Sequence, residues 1–342
     1  EPLPRSTDMS NKSNSEAPSM VVVMGVTGAG KSHFVNQLAG RTIVEEGASL
    51  DPCTHNCQLV PVTIGHSKLL LIDTPGFDDS ERTDSEILME IARILAAQYE
   101  LGVQLKGVIY IHRITDIRYA RSSVKTFEIF RKICGDQALS NVLLVTSRWD
   151  DAGVDSAVGA ERERQLKEKF WAYMLGNGSN ISRFHGDRPS AIGLVSKETV
   201  VLKLQLELVD DGKQLDETTA GAYLSDGLDD LRRQYKEEIS SLERLKQDLV
   251  ENDRAMRRQV QRDWEKEQAR LRQLDKDQVS LQRPVGTEVR QEIQKKRGFS
   301  RALPFVPAII SVLAMFVGIP PGVTDIFTGW IANLGASEDF SL

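Results

Sequence analysis

The run Val21-Val22-Val23-Met24-Gly25-Val26-Thr27-Gly28-Ala29-Gly30-Lys31-Ser32 carries a buried-type apolar strand straight into a glycine-rich loop. Gly25, four residues, then Gly30-Lys31-Ser32 is the spacing of a phosphate-binding loop (P-loop), in which each position has its own physical task. The glycines turn the backbone and bring its N–H groups to phosphate oxygens without a Cβ in the way. Within the cradle Thr27, Gly28, Ala29 and His33 count as ligand-binding positions beside Gly25 and Gly30. Lys31 supplies a point charge to the β- and γ-phosphates and Ser32 a hydroxyl for Mg²⁺. The helix that starts at Lys31 aims its positive dipole end at the same place. The helical run His33 to Ala39 behind the loop sets the match apart from a chance one.

Working outward, Arg41 to Asn56 has no clear period and is punctuated by Gly47 and Pro52, which reads as a long loop. Thr54 within it is either the threonine that reaches Mg²⁺ when a γ-phosphate is present or a surface threonine in a turn. Gln58 to Ile64 and Leu69 to Ile72 read as strands joined by a hairpin turn at 65–68. The second delivers Asp73-Thr74-Pro75-Gly76. Asp73, at a buried strand's end, is placed to hold Mg²⁺ through water, and the Gly76 N–H to sense the γ-phosphate. A strand hairpin leading into Asp-x-x-Gly points to a GTPase-like switch. Asp84 to Tyr99 reads as an amphipathic helix, Gly107 to His112 as a buried strand and Ser123 to Ile133 as a further helix. Between these last two, His112 to Arg121 is an arginine-rich loop at the nucleotide edge, or simply solvated charge.

Asn141 to Thr146 is the next strand and leads to Ser147-Arg148-Trp149-Asp150. The Asp150 carboxylate can accept from both the N1–H and the exocyclic amine of guanine, a pair that adenine does not offer. Ser147 and Arg148 stand where the usual guanine motif, Asn/Thr-Lys-x-Asp, has its first two residues; Arg148 is expected to lie along the base. ATP in place of GTP stays open on that departure. Val158 to Leu175 reads as helical, Gly176 to Pro189 as a loop, and Ser190 to Val195 as a last short strand, with Ser196 or the preceding loop closing over the base.

The chain has 342 residues and a net charge of −6, which speaks against a broad nucleic-acid footprint and leaves no nucleic acid among the expected partners. Its three cysteines form no secreted framework and suit a reducing, cytoplasmic location. A metal reading of Cys53, His55 and Cys57 is set aside for want of a second ligand pair. Glu1 to Ser19 reads as a disordered lead-in, and the opening Glu leaves the true start open. From Tyr223 onward Leu228, Leu231, Tyr235, Leu242, Leu245 and Leu249 recur at helical steps among many charges. That is a long charged helix or a helical hairpin, used for self-association or folded back, with Pro284 and Gly286 breaking it. Lys295-Lys296-Arg297 precedes the uncharged stretch Ala302 to Thr324, which is a membrane-associating tail or one that packs into a groove of its own protein.

These motifs, with Cys53-Thr54, Phe77-Asp78-Asp79 and Gly107 to Asp116, resemble the translation-factor-class GTPases. More narrowly the chain is similar to the group that contains the GIMAP or avirulence-induced proteins, chloroplast-import receptor GTPases and septins, and to uncharacterised fungal members. The resemblance covers Ser19 to about Leu208. It implies GTP and GDP as ligands, Mg²⁺, slow intrinsic hydrolysis and nucleotide-controlled self-association as a homodimer or oligomer. Phe77 stands where a water-positioning glutamine is common, so turnover is expected to need an outside group. In related dimerising GTPases an arginine from the loop after the central strand crosses the interface; Arg118, with Arg113 second, occupies that loop. The expected architecture is an α/β, three-layer, mainly parallel P-loop GTPase domain over 20–208, after a lead-in over 1–19. A helical extension follows over 209–298 and an apolar tail over 299–342. The expected function is a GTP-hydrolysing switch; the alternative is a nucleotide-binding scaffold that hydrolyses little and assembles or tethers at a membrane.

Overall fold

Every residue of β1 (Ser19–Gly25) is buried, as a strand without polar alternation requires when both its faces are covered. The computed structural model describes residues 19–46, 56–65, 67–79, 81–151, 156–195, 199–248, 254–297, 305–320 and 328–329. With β2 (Gln58–Ile64), β3 (Ser67–Asp73), β4 (Leu105–Arg113), β5 (Val142–Ser147) and β6 (Asn180–Arg183), β1 forms a six-stranded sheet in the order β2-β3-β1-β4-β5-β6. All neighbours run parallel except β2, which is antiparallel to β3. Alternate β1 side chains feed two cores. Val21 and Val23 join Phe34, Leu38 and Ile109 on one face, while Val22 and Met24 join Tyr110, Phe130 and Trp171 on the other.

The helices that cover the sheet are α1 (Lys31–Ala39), α2 (Asp84–Glu100), α3 (Arg121–Cys134) and α4 (Ser156–Gln165). The last runs through a π turn at Leu166–Phe170 towards α5 (Ala172–Gly176), and the short α6 (Arg188–Gly193) and α7 (Lys203–Gln205) follow. A capping box starts α2: the Glu86 N–H donates to the Thr83 hydroxyl and the Thr83 N–H to the Glu86 carboxylate. The expected strand at Ser190 to Val195 is corrected. The sixth strand lies ten residues earlier in the stretch read as a loop, and α6 stands in its place. Asp187 caps α6 by accepting the Ser190 N–H at 2.9 Å, with Pro189 in the first turn. A cap followed by proline is a helix start, and it outweighs the short apolar run.

The back half folds back instead of forming one unbroken coiled coil. Helices α8 (Thr219–Asp248) and α9 (Arg254–Leu281) make an antiparallel hairpin: Arg232 pairs with Asp275, the Trp264 indole donates to Glu243, and Lys246 donates to Gln261. Helix α10 (Val285–Arg297) returns along α2, where Arg93 meets Glu292 at 3.0 Å. Its Val285, Val289 and Ile293 belong to the same core as the sheet. Gly286 makes this seat fit, because a Cβ there would lie 2.7 Å from the Leu208 carbonyl carbon and nearer still to its oxygen.

The described part of the apolar tail packs against its own protein, the second of the two readings of that stretch. The nine-residue α11 (Phe305–Leu313) is followed by a segment in which Phe316 and Val317 are buried with Ile310 and Leu313 in the main core. Gly318 then adds to the outer edge of β2: its N–H donates to the Cys57 carbonyl and its carbonyl accepts the Leu59 N–H, each at 2.9 Å. An exposed strand edge is a row of unpaired backbone groups, and the tail covers part of it. Among the described residues no helix is long and apolar enough to cross a membrane.

Candidate functional site

The P-loop joins β1 to α1 at the carboxyl edge of the sheet. Gly25, Gly28 and Gly30 have φ of 147°, 76° and 88°, backbone that other residues adopt only under strain. At Gly25 space is as decisive as angle: a Cβ would lie 3.2 Å from the Ile111 carbonyl carbon in β4 and closer to its oxygen. No side chain caps α1 at Gly30 and its first turn has no acid, so its N–H groups are left to an anion. The Thr27 hydroxyl is buried without a hydrogen-bond partner, a position that an incoming acceptor such as a phosphate oxygen would satisfy.

Lys31 is buried, and its ammonium donates to the Gly25 and Val26 carbonyls at 3.2 and 3.0 Å. Burial pushes it down to about 8 from its ordinary 10.5, against the opposing pull of Asp73 and Asp79. The Ser32 hydroxyl donates to Asp73 at 2.8 Å, and Asp73 is fully buried at the end of β3. A hydroxyl and a carboxylate side by side beneath a phosphate cradle are hard oxygen donors with open positions for water, a set that fits Mg²⁺. Thr54, the third expected metal contact, lies outside the described residues, as do Cys53, His55 and Ser196.

Gly76 lies against the cradle from the other side: a Cβ there would be 2.6 Å from the Thr27 Cα and nearer to its N and Oγ1. Phe77 pairs with Val26 in an isolated parallel bridge, and its ring is buried in the core. The side chain in the water-positioning place therefore packs inside the protein.

At the base end, Ser147 and Arg148 hold the P-loop. The Ser147 hydroxyl donates to the Ala29 carbonyl at 2.7 Å, and Arg148 Nε donates to the Gly28 carbonyl at 3.1 Å. Arg148, expected along the base, thus reaches the loop, from a left-handed backbone with φ 59°. Asp150 stands exposed beyond them. Trp149 braces this turn: its indole donates to the Thr146 carbonyl at 3.1 Å, and the Arg183 guanidinium lies 4.0 Å over its ring, itself held by buried Glu163. The loop after β6 closes this end, where His33, expected in the cradle, contacts the Gly186 carbonyl at 3.0 Å and Glu46 at 2.8 Å.

The two candidate arginines part company. Arg113 turns inward, paired with Asp116, its guanidinium 2.7 Å from where a Cβ on Gly28 would sit. Arg118 is exposed on the loop between β4 and α3. Sequence reasoning did not anticipate Ser147 as a tether or Arg113 over the loop. For Ser147 the available signal was a hydroxyl in the slot where an amide is usual.

A mainly parallel sheet with a glycine cradle between β1 and α1, a hydroxyl–carboxylate pair beneath it and a free aspartate beyond β5 defines a P-loop nucleotide-binding domain. Residues 19–167 match the model of the AIG1 family, so this part of the chain is an AIG1 family domain. The chain is similar to "Cell division control protein 11" of Encephalitozoon cuniculi, 30% identical over 49% of this chain and 63% of that protein. It is similar also to "GTPase IMAP family member 8" of Rattus norvegicus, 27% identical over 43% of this chain and 21% of that protein. A solved structure of Toc33 from Arabidopsis thaliana in complex with GDP and Mg²⁺ is 21% identical over 50% of this chain and 72% of that one, at a TM-score of 0.40. The matches thus span less than two thirds of either curated relative.

Proposed function

We propose that the chain binds GTP and GDP with Mg²⁺ and hydrolyses GTP slowly, as a switch whose helical arm reports the nucleotide state. The observation that carries this reading is the Ser32–Asp73 pair at 2.8 Å under a cradle that already holds a buried lysine. Ser32 and Asp73 would hold Mg²⁺, which when bound offsets charge on the β- and γ-phosphates. Lys31 exchanges its loop carbonyls for phosphate oxygens, Gly76 donates its N–H to the γ-phosphate, and Asp150 accepts from guanine. The name of the rat relative points the same way.

With Phe77 buried, no side chain from that position orients water, and intrinsic turnover is slow. Arg113 is paired with Asp116 beside Gly28, which leaves exposed Arg118 as the arginine to act across a dimer. The arm and α2 are in contact with the segments that a nucleotide switch would move. The Thr83 hydroxyl, at the end of the Asp-x-x-Gly segment, donates to Asp277 of α9 at 3.0 Å. Glu90 of α2 accepts the Cys57 N–H at 2.5 Å and pairs with Arg82 at 2.6 Å. A shift in either loop therefore reaches α2 and α9.

Phosphate release measured over a protein concentration series tests the proposal. Specific activity should rise with concentration, and Arg118→Ala should remove the rise. Flat, near-zero release with tight GTP binding would instead support the scaffold reading, which the buried Phe77 favours.

A further inference from the structure

Two segments beside the cradle meet at one side chain of α1. His33 follows Ser32 directly, with Asn36 and Gln37 one turn further along the same face. The buried Asn36 side chain sets the start of the loop that leads towards Thr54. Its carbonyl oxygen accepts the Ile43 and Val44 N–H groups at 2.8 and 3.0 Å, and its amide donates to the Val44 carbonyl at 2.9 Å and to Glu46 at 2.6 Å. The segment after β6 is seated on the same helix. Phe184 packs edge-on against Phe34 with ring centres 5.2 Å apart, and Arg188 donates to the Gln37 and Leu38 carbonyls at 3.1 and 2.8 Å.

His33 joins the two. Its Nε2 donates to the Gly186 carbonyl at 3.0 Å, while Nδ1 meets one Glu46 carboxylate oxygen at 2.8 Å, the other oxygen being held by Asn36. The ring also lies near Phe184, with centres 5.8 Å apart. Folding alone does not call for this bridge. Each segment has its own anchor on α1, Asn36 for one and Phe184 with Arg188 for the other. The His33 and Glu46 side chains are 38% and 39% exposed, where such a pair adds little to stability. What the bridge adds is a link between the loop on the metal side of the cradle and the loop that closes the base end. We propose that His33 is a positioning residue that clasps these two segments to each other, so that a bound base steadies the loop leading to Thr54 and nucleotide leaves slowly. This rests on the proposed nucleotide binding for its direction.

Two measurements on the full chain test it. In the first, hydrogen exchange is followed without nucleotide. Glu46→Ala should speed exchange at 184–188, a segment it reaches through His33, by about three-fold. In a His33→Phe background it should add nothing there, because phenylalanine keeps a ring beside Phe184 but carries no nitrogen. In the second, release of a fluorescent GDP is timed after mixing with excess GDP. His33→Phe and Glu46→Ala should each raise the rate by about three- to ten-fold, with the double variant no faster than either. His33→Gln, which still donates to Gly186, should recover part of the loss. Unchanged exchange at 184–188 in Glu46→Ala, additive effects in the double variant, or parental GDP release from His33→Phe overturns the clasp. A chain that takes up no GDP fails the nucleotide reading instead; that shows as absent uptake, and the exchange measurement still decides the clasp.

Discussion

Gly76→Ala isolates the link between the two phosphate motifs. Gly76 does not have a positive φ, so alanine is acceptable to the local backbone and the effect must act through space. The new Cβ would sit 2.6 Å from the Thr27 Cα, where ordinary contact begins at 3.4 Å, so the Asp73–Gly76 turn has to retreat by roughly 0.8 Å. The obstacle includes Thr27 backbone, which no rotamer change relieves. An N–H···O bond of about 2.9 Å lengthened by that amount is no longer a hydrogen bond. A bond to a charged acceptor is worth about 1.5–3 kcal/mol, so affinity for a non-hydrolysable GTP analogue should fall by about ten- to 150-fold. GDP lacks the γ-phosphate and should bind as before. Fluorescence titration with both nucleotides measures the ratio. Equal affinities for the analogue in variant and parent would refute the reasoning, because Gly76 would then not face the γ-phosphate.

Four further outcomes follow from the same geometry. Lys31, lowered to about 8 by burial, is largely neutral in the empty chain at about pH 9 and recharged by phosphate, so binding there should take up nearly one proton, read by calorimetry in buffers of different ionisation heat. Without nucleotide, this lysine holds more protons in the unfolded chain than in the folded one between about pH 8 and 10.5; the stability contributed through it rises across that window, and Lys31→Met should remove that contribution, read as the difference between the pH slopes of parent and variant. Ser147→Ala strands the Ala29 carbonyl at a cost of about 1–3 kcal/mol and should weaken GDP and GTP binding alike, whereas Asp277→Ala should leave GDP affinity intact and shrink the nucleotide-dependent difference in hydrogen exchange along α9.

What could be read from the sequence was what the backbone itself demands. Gly25 and Gly30 are required by φ, and Asp73 is required at a strand end, so short spacings announce them. The supports were hidden because they are long-range: Ser147 reaches Ala29 and Arg148 reaches Gly28 across more than a hundred residues, and no local pattern encodes that. The sixth strand escaped because Asn180–Arg183 is short, polar and only half-buried, with no period to detect. The tail was legible in composition but not in destination. An apolar stretch beside prolines satisfies either a bilayer or a groove, and only the fold shows the uncovered β2 edge and α2 surface that Gly318, Phe316 and Leu313 occupy.

The departure from the usual guanine motif sharpens what Asp150 alone must do. Ser147 and Arg148 spend their donors on loop carbonyls, so the tethering task of the motif is met by substitutes, while neither contributes an acceptor for the base. If the chain takes GTP as proposed, discrimination between guanine and adenine falls to the exposed Asp150 carboxylate, whose two oxygens match the two donors of guanine. Asp150→Asn exchanges one acceptor for a donor. It leaves the P-loop tethers untouched, mismatches the exocyclic amine of guanine, and matches xanthine, which has a carbonyl in that place. Affinity for GTP should drop by about 100-fold or more and affinity for xanthosine triphosphate should rise, by competition against a fluorescent nucleotide. If the variant keeps GTP at parental affinity, Asp150 does not read the base. ATP then becomes an equal candidate for the cradle, even with every phosphate contact unchanged.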